Sequence, residues 1–385
     1  MYYIKTLNKI SPVGLNLFDA EKYTVSDDTE NPDAMLLRSC SMHGMEFPPA
    51  LKAVGRAGAG TNNIPIEKCT EKGIVVFNTP GGNANAVKEL VIAGLLLASR
   101  DIVGGIEWVK TLKGDANLPK TVESGKGQFV GYEVMGKKLG VIGLGAIGVL
   151  VANAAYSMGM DVVGVDPYIS IGSAWSLHPS VRKVDSKDDL ADCDYITIHV
   201  PCTNETKDTV DKKYLAKLKD GVKILNFARG ELVNDAAMLD ALHSCKVSCY
   251  VTDFPSEKLF NVKGVIALPH LGASTEESED NCARMASEEI KNYLELGNIV
   301  NSVNYPDCTL ARTGRTRFAV THKNIPKQIS TILDTIASFG INVDNMANQS
   351  KGPIGYTLIE IDGDCPAELP EKLRAMTEVV NVRVM

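Results

Sequence analysis

The stretch KLGVIGLGAIGVL at residues 138–150, followed by DVVGVD at 161–166, decides the fold. A short apolar run ends in three glycines, Gly143, Gly145 and Gly148, spaced Gly-x-Gly-x-x-Gly, and a helical pattern follows over 147–158. A second apolar run then closes on Asp166, about 20 residues beyond the first glycine. Strand, glycine turn, helix and acid-ended strand together make a dinucleotide fingerprint. The glycines let the backbone approach a pyrophosphate, and the helix N-terminus meets its charge. Asp166 would accept hydrogen bonds from ribose hydroxyls and repel a 2′-phosphate, so NAD is expected rather than NADP.

Outward from this unit the pattern repeats. Runs at 195–200, 223–226, 248–252 and 264–268 are short, continuous and β-branched, as in parallel strands covered on both faces. Helical patterns separate them, so a doubly wound, Rossmann-like α/β sheet is expected. The first ninety residues repeat the theme with strand ends at 35–39, 51–58 and 73–80, and long helices are expected at 83–100 and Glu276–Leu296. Residues 305–317, turn-rich and locally basic, read as a flexible linker. The remainder reads strand, helix, strand, strand, helix, strand, a ferredoxin-like unit. The expected domains are 1–95 with 282–304, 96–281, a linker at 305–316, and 317–385.

The 385 residues carry 40 Lys and Arg against 47 Asp and Glu, so a net charge of −7 argues against a nucleic-acid partner. No apolar run is long enough for a membrane span and no leader pattern opens the chain, which predicts a soluble cytoplasmic protein. Nine cysteines, irregularly spaced and without a CxxC pair, predict reduced thiols, no disulfide framework and no metal site.

Three polar residues stand at strand ends: Arg229 in ILNFARGELV, Glu257 in YVTDFPSE and His270 in GVIALPH, just before LGAST. An open α/β sheet binds its ligand at that edge. These motifs, downstream of GLGAIG, resemble the D-isomer-specific 2-hydroxyacid dehydrogenases along nearly the whole chain. The resemblance implies that His270 exchanges a proton with the substrate oxygen, that Glu257 stabilises its imidazolium, and that Arg229 grips the carboxylate. It also implies NAD contacts at Gly143, Gly145, Ala146, Ile147, Gly148, Asp166, His199, Val200, Pro201, Thr206, Phe227, Ala228, Gly272 and Ala273. The family places Asp-x-Phe before its Glu, whereas here Asp253 directly precedes Phe254. The resemblance still gives Asp253 a contact with the nicotinamide amide.

LLRSCS, VGRAGAGTNNI and NTPGGNANAVKELV are similar to the phosphoglycerate-oxidising members of that family. This implies 3-phosphoglycerate as substrate, held by Arg38, Ser39, Arg56, Ala57, Gly58 and Asn83. Lys126 in GKGQFVG stands where those members carry an arginine. The C-terminal unit resembles an ACT domain, attached here in a short form without the extra domain of longer members. Its HxNxP and GxN patterns imply an L-serine effector at His322, Asn324 and Asn342, although Lys327 replaces a glycine there. The apolar helices at 83–100 and 102–112 predict a homodimer or homotetramer. A hydroxypyruvate or glyoxylate reductase is a same-family alternative, and a non-catalytic NAD-binding regulator is a second.

Overall fold

The computed structural model describes residues 1–313 and 316–385; Gly314 and Arg315, within the expected linker, lie outside the described residues. The chain forms two compact units, Met1–Asn83 with Glu276–Met385, and Ala84–Thr275. They part earlier in the chain than residues 96 and 282, and packing explains why. Helix Ala84–Ser99 buries Val87, Val91 and Leu95 against Leu139, Val141 and Leu225 of the second unit. Its Gly94 lies so close to Phe227 that a Cβ would meet the ring at 2.7 Å. Helix Glu276–Leu296 lies wholly on the first unit, with Ile290 2.8 Å from where a Cβ on Gly55 would sit.

The first unit holds a parallel sheet of β1 (Tyr2–Thr6), β2 (Tyr23–Ser26), β3 (Ala34–Leu37), β4 (Ala53–Arg56) and β5 (Val75–Asn78), ordered β2-β1-β3-β4-β5. β1 and β2 were not among the expected strands. β2 is an edge strand and β1 buries only Ile4, so neither reads as a continuous apolar run.

The second unit holds β6 (Lys138–Ile142), β7 (Asp161–Val165), β8 (Arg182–Lys183), β9 (Tyr195–Ile198), β10 (Val222–Asn226), β11 (Val247–Thr252) and β12 (Val265–Ala267). All pairs are parallel and the order is β12-β11-β10-β9-β6-β7-β8. The chain winds one way from β6 and the other way from β9. These neighbours therefore flank the switch point, where doubly wound sheets bind ligands.

The C-terminal strands β13 (Thr316–Lys323), β14 (Val343–Lys351), β15 (Ile354–Ile361) and β16 (Val379–Val384) form a separate antiparallel sheet, ordered β14-β15-β13-β16. One face packs Phe318, Val320, Ile359 and Ile361 on helices Gln328–Ala337 and Glu368–Arg374. The other face sends Ala319, Tyr356 and Leu358 into the core of the first unit. The preceding segment is no loose tether. Tyr305 and Cys308 are buried, and Cys308 exchanges backbone hydrogen bonds of 2.9 Å with Ile299.

The end of helix Glu276–Leu296 shows how the sheet is joined. The last carbonyls of a helix have no partner within it. Here Arg383 donates to Tyr293 O and Leu294 O at 3.0 and 2.7 Å, Arg317 to Leu296 O at 2.8 Å, and Tyr356 Oη to Gly297 O at 2.6 Å. The two guanidinium groups also complement the negative end of the helix dipole.

The same helix buries Glu289, which accepts from Asn301 at 2.8 Å through Oε1 while Oε2 has no partner among the described residues. Burial pushes its carboxyl up to about 8, against the pull of the Asn301 hydrogen bond. Between the ordinary carboxylate value and about 8, the folded chain holds a proton that the unfolded chain has released. Stability therefore falls as pH rises through that window. Glu289→Gln should remove this dependence and be more stable than the parent at pH 8, by the order of a few kcal/mol. Thermal melts of both proteins at pH 5 and pH 8 check this; parallel melting at both values would contradict it.

Candidate active site

The glycine turn follows β6. Gly143 has φ +94°, and a Cβ there would meet His199 O at 2.6 Å. At Gly148 a Cβ would meet Gly143 O at 1.9 Å, so that glycine serves close packing of turn on helix. Gly145, the N-cap of helix Ala146–Ser157, differs: a Cβ there would meet nothing within 4 Å. Internal packing does not require glycine at 145, whereas close approach of an outside phosphate does. Ala146 is exposed and Ile147 half-buried at the same helix start.

Asp166 follows β7 and faces this turn. Its Oδ2 accepts from Leu144 N and its Oδ1 from Tyr168 N, both at 2.8 Å. Each oxygen keeps a further lone pair for a hydroxyl. Across the switch point His199 follows β9, with Nε2 2.9 Å from Thr197 Oγ1 and Nδ1 buried without a partner among the described residues. Burial pushes its imidazole down to about 3, so the ring is neutral. Val200 is half-buried and Pro201 exposed, and the Pro201 carbonyl accepts from Thr206 Oγ1 at 2.5 Å. The turn, the acid and the orphaned nitrogen at the switch point fit a dinucleotide.

The strand-end residues are built differently from one another. Arg229 is exposed, and its Nη1 donates to Ala228 O at 2.7 Å. The loop that presents it is held by Asn226, fully buried at the end of β10. Asn226 donates to Arg229 O at 2.7 Å and accepts from Ala228 N at 3.2 Å, beside buried Phe227. The sequence shows this asparagine within ILNFARGELV but gives no sign of its task. Glu257 is exposed at the start of a short 3-10 turn, Glu257–Leu259.

His270 is exposed at φ +55°, a left-handed conformation, with its ring 4.7 Å from Phe254. No hydrogen bond or ion pair joins Glu257, Arg229 or His270 to one another among the described residues.

Asp253 lies just past β11. It is fully buried, and its two carboxyl oxygens accept from Leu271 N and Gly272 N, each at 2.8 Å. Both oxygens are turned to the loop after His270. Left-handed backbone costs a non-glycine residue about 1–2 kcal/mol. Two hydrogen bonds to an acidic group are worth about 1.5–3 kcal/mol each, which is enough to hold it. Gly272 is buried against Asp253 and Ala273 half-buried.

In the first unit, Arg38 and Ser39 follow β3, Arg56 ends β4 with Ala57 and Gly58 beyond it, and Asn83 lies past β5. Asn63 draws the two arginine segments together. It donates to Arg38 O and Cys40 O at 3.1 and 2.7 Å and accepts from Arg56 Nε at 3.2 Å. Gly58 takes φ +151°, a backbone conformation that side chains with a Cβ rarely adopt, which explains the glycine. Arg38 is ion-paired with Glu279. Lys126 is exposed at the C-cap of helix Leu118–Gly125, 2.6 Å from Glu123 of that helix.

Of the expected effector residues, His322 is buried with both ring nitrogens engaged, Nδ1 with Lys323 O and Nε2 with Thr357 Oγ1, each at 2.9 Å. Asn324 donates to Gly352 O at 3.1 Å, and Asn342 lies 3.4 Å from Asp344. Lys327 takes φ +68° at the start of its helix, keeping the backbone form that a glycine would favour.

Comparison with known proteins adds the following. Residues 92–272 match the D-isomer specific 2-hydroxyacid dehydrogenase NAD-binding domain. A D-3-phosphoglycerate dehydrogenase of Archaeoglobus fulgidus is 37% identical over 287 residues, 71% of this chain and 52% of that one. Its counterpart in Mycobacterium tuberculosis is 34% identical over 351 residues, 89% and 61% of the two chains. A Schizosaccharomyces pombe relative, provisionally assigned to the same enzyme, is 30% identical over 370 residues, with 76% of its length covered. The chain thus spans between half and two thirds of the first two relatives. Among solved structures, a glyoxylate reductase from Paecilomyes thermophila superposes with TM-score 0.64 at 22% identity, covering 78% of this chain and 98% of that one. D-2-hydroxyisocaproate dehydrogenase does so with TM-score 0.63 at 19%, covering 79% and 100%. These two show the fold.

Proposed function

The chain belongs to the D-isomer specific 2-hydroxyacid dehydrogenase family, and from that premise we propose that it oxidises 3-phospho-D-glycerate to 3-phosphohydroxypyruvate with NAD. The observation that carries the substrate is the pair of arginine segments, Arg38 and Arg56, tied at neighbouring strand ends by Asn63. Two guanidinium groups suit a substrate anionic at both ends. The relatives named D-3-phosphoglycerate dehydrogenase support the same reading.

Bound at the turn of Gly143, Gly145 and Gly148, NAD supplies a hydride acceptor. Asp166 orients the ribose, and His199, Phe227 and Ala228 stand just past the neighbouring strands β9 and β10. Arg229 holds the substrate carboxylate and polarises the oxygen at C2. His270 takes the hydroxyl proton through a ring nitrogen, and Glu257 stabilises the imidazolium that results. Such contacts are often long before substrate binds and tighten in the complex. Ser39, Ala57, Gly58 and Asn83 complete the anion site, and Lys126 is a further cation for it.

NADH production across a panel of 2-hydroxy acids tests the reading. Charge-assisted contacts to the phosphate should make kcat/KM for 3-phosphoglycerate roughly 10–100-fold higher than for glycerate. NAD should be strongly preferred to NADP, because Asp166 repels the 2′-phosphate. Faster reduction of hydroxypyruvate or glyoxylate than of the phosphorylated ketone would favour the reductase reading, and no turnover at all would favour the regulator.

Three further proposals accompany this one. Helix Ile102–Thr111 leaves Ile102, Val103, Ile106 and Val109 between 40% and 52% exposed, which supports a homodimer through that face. Helix Ala84–Ser99, expected to share in it, is covered by its own unit. The C-terminal unit is proposed as an ACT-like regulatory unit taking L-serine, with Asn324 and Asn342 as its exposed polar groups, since His322 offers no free nitrogen here. A cytoplasmic location is proposed from the enzyme reading. Among the described residues no helix is long and apolar enough to cross a membrane.

A further inference from the structure

β11 and β12 are neighbouring parallel strands, so the segments leaving them run side by side, and Leu268 N donates to Thr252 O at 2.8 Å. Asp253 is the first residue past β11; His270 follows β12 after Leu268 and Pro269. At φ +55°, His270 turns the backbone so that the next two amides, of Leu271 and Gly272, point to one side. Successive amides beside a left-handed residue form a concavity that takes an anion. The buried carboxyl of Asp253 fills it, with one oxygen to each amide at 2.8 Å. Phe254, the next residue, lays its ring 4.7 Å from the His270 imidazole. Two consecutive side chains on one segment therefore grip the histidine from both ends. The acid fixes its backbone and the ring its imidazole.

We propose that Asp253 is a positioning residue for the reaction. It acts through His270, by locking the left-handed turn that aims the imidazole, and makes no contact with the cofactor. This rests on the reading of His270 as the proton carrier. A buried acid that only stabilised the fold could sit anywhere in the core. This one spends both oxygens on the two amides immediately after the reacting side chain. A general acid–base group misplaced by about 1 Å loses roughly 100-fold in rate, so the clamp has a kinetic signature separate from stability.

The test uses the full chain in four forms: Asp253→Asn, Asp253→Val, His270→Ala, and the double variant Asp253→Val/His270→Ala. Asp253→Val, which removes both acceptors, should lower kcat by roughly 10–100-fold while the dissociation constant for NAD and the KM for NAD stay within about twofold. Asp253→Asn keeps one acceptor and should fall between the parent and the valine variant. The double variant should be no slower than His270→Ala alone, because a residue acting through His270 has nothing left to position. A tenfold weaker NAD affinity with kcat preserved would overturn the proposal in favour of direct cofactor contact. Equal kcat in parent and Asp253→Asn, or an additive double variant, would also overturn it. If Asp253→Val does not fold, the asparagine variant and its double with His270→Ala decide on the same criteria. Parent-like activity of His270→Ala would instead remove the proton-carrier reading itself, so the two failures are told apart.

Discussion

His270→Ala should cut turnover by about 10² or more, as loss of a positioned acid–base group does, while NAD binding is unchanged. The strand-end position gives the direction and the local geometry gives the size. Exposed histidines of no consequence have no reason to be held left-handed, yet here φ is +55° and a buried acid is committed to keeping it so. Strain maintained by its surroundings is a recurring mark of working positions. NAD affinity should survive because the glycine turn and Asp166 stand at β6 and β7, on the far side of β9, β10 and β11 in the sheet. Steady-state kinetics with 3-phosphoglycerate, alongside fluorescence titration with NADH, measures both halves. Turnover equal to the parent would sink the assignment, and lost NADH binding would move His270 into the cofactor site.

The sequence discloses what burial writes into it. β6, β7, β9, β10 and β11 are covered on both faces, so their apolar runs are unbroken and were read within a residue or two. β8 is two exposed residues, Arg182 and Lys183, and carries no such signal. The basic stretch near residue 312 reads as a flexible linker because composition cannot show where a charge goes. Arg317 is fully buried and its charge is met inside the fold. Asp253 is the instructive case. The residue type and the neighbourhood were legible, but a displacement of one residue along a strand end turns a side chain to the opposite face. The family's acid would fall at Thr252. At 253 it points inward, to the amides after His270, and no reading by resemblance could supply that.

Glu360→Ala should destabilise the first unit by about 3–5 kcal/mol, the cost of leaving a buried charge without its partner. Arg317 and Glu360 are each fully buried. Glu360 Oε1 accepts from Arg317 Nε at 3.0 Å and Nη2 at 2.7 Å, and Thr313 adds a backbone and a hydroxyl hydrogen bond. Arg317 spends its other donors on Leu296 O and Ala311 O, at 2.8 and 2.9 Å. The guanidinium thus joins β13 to the end of helix Glu276–Leu296, and its charge is tolerable there only because Glu360 answers it. Burial pushes the Glu360 carboxyl up, but the hydrogen bonds from Thr313 and Arg317 outweigh it, so the carboxyl lies below its ordinary value. A lowered folded value means that the stabilisation is present above the unfolded pKa and is lost as pH falls through the folded one. The parent should therefore lose stability in acid more steeply than the alanine variant, which has nothing left to protonate. Removing both charges, as in Arg317→Met with Glu360→Leu, should recover most of the loss, because an apolar pair of similar volume needs no counter-charge. Urea unfolding of the parent and the two variants at neutral pH decides the matter. A single variant as stable as the parent would mean that the pair does not secure the junction. A double variant as weak as the single one would locate the strength in the carbonyls that Arg317 caps.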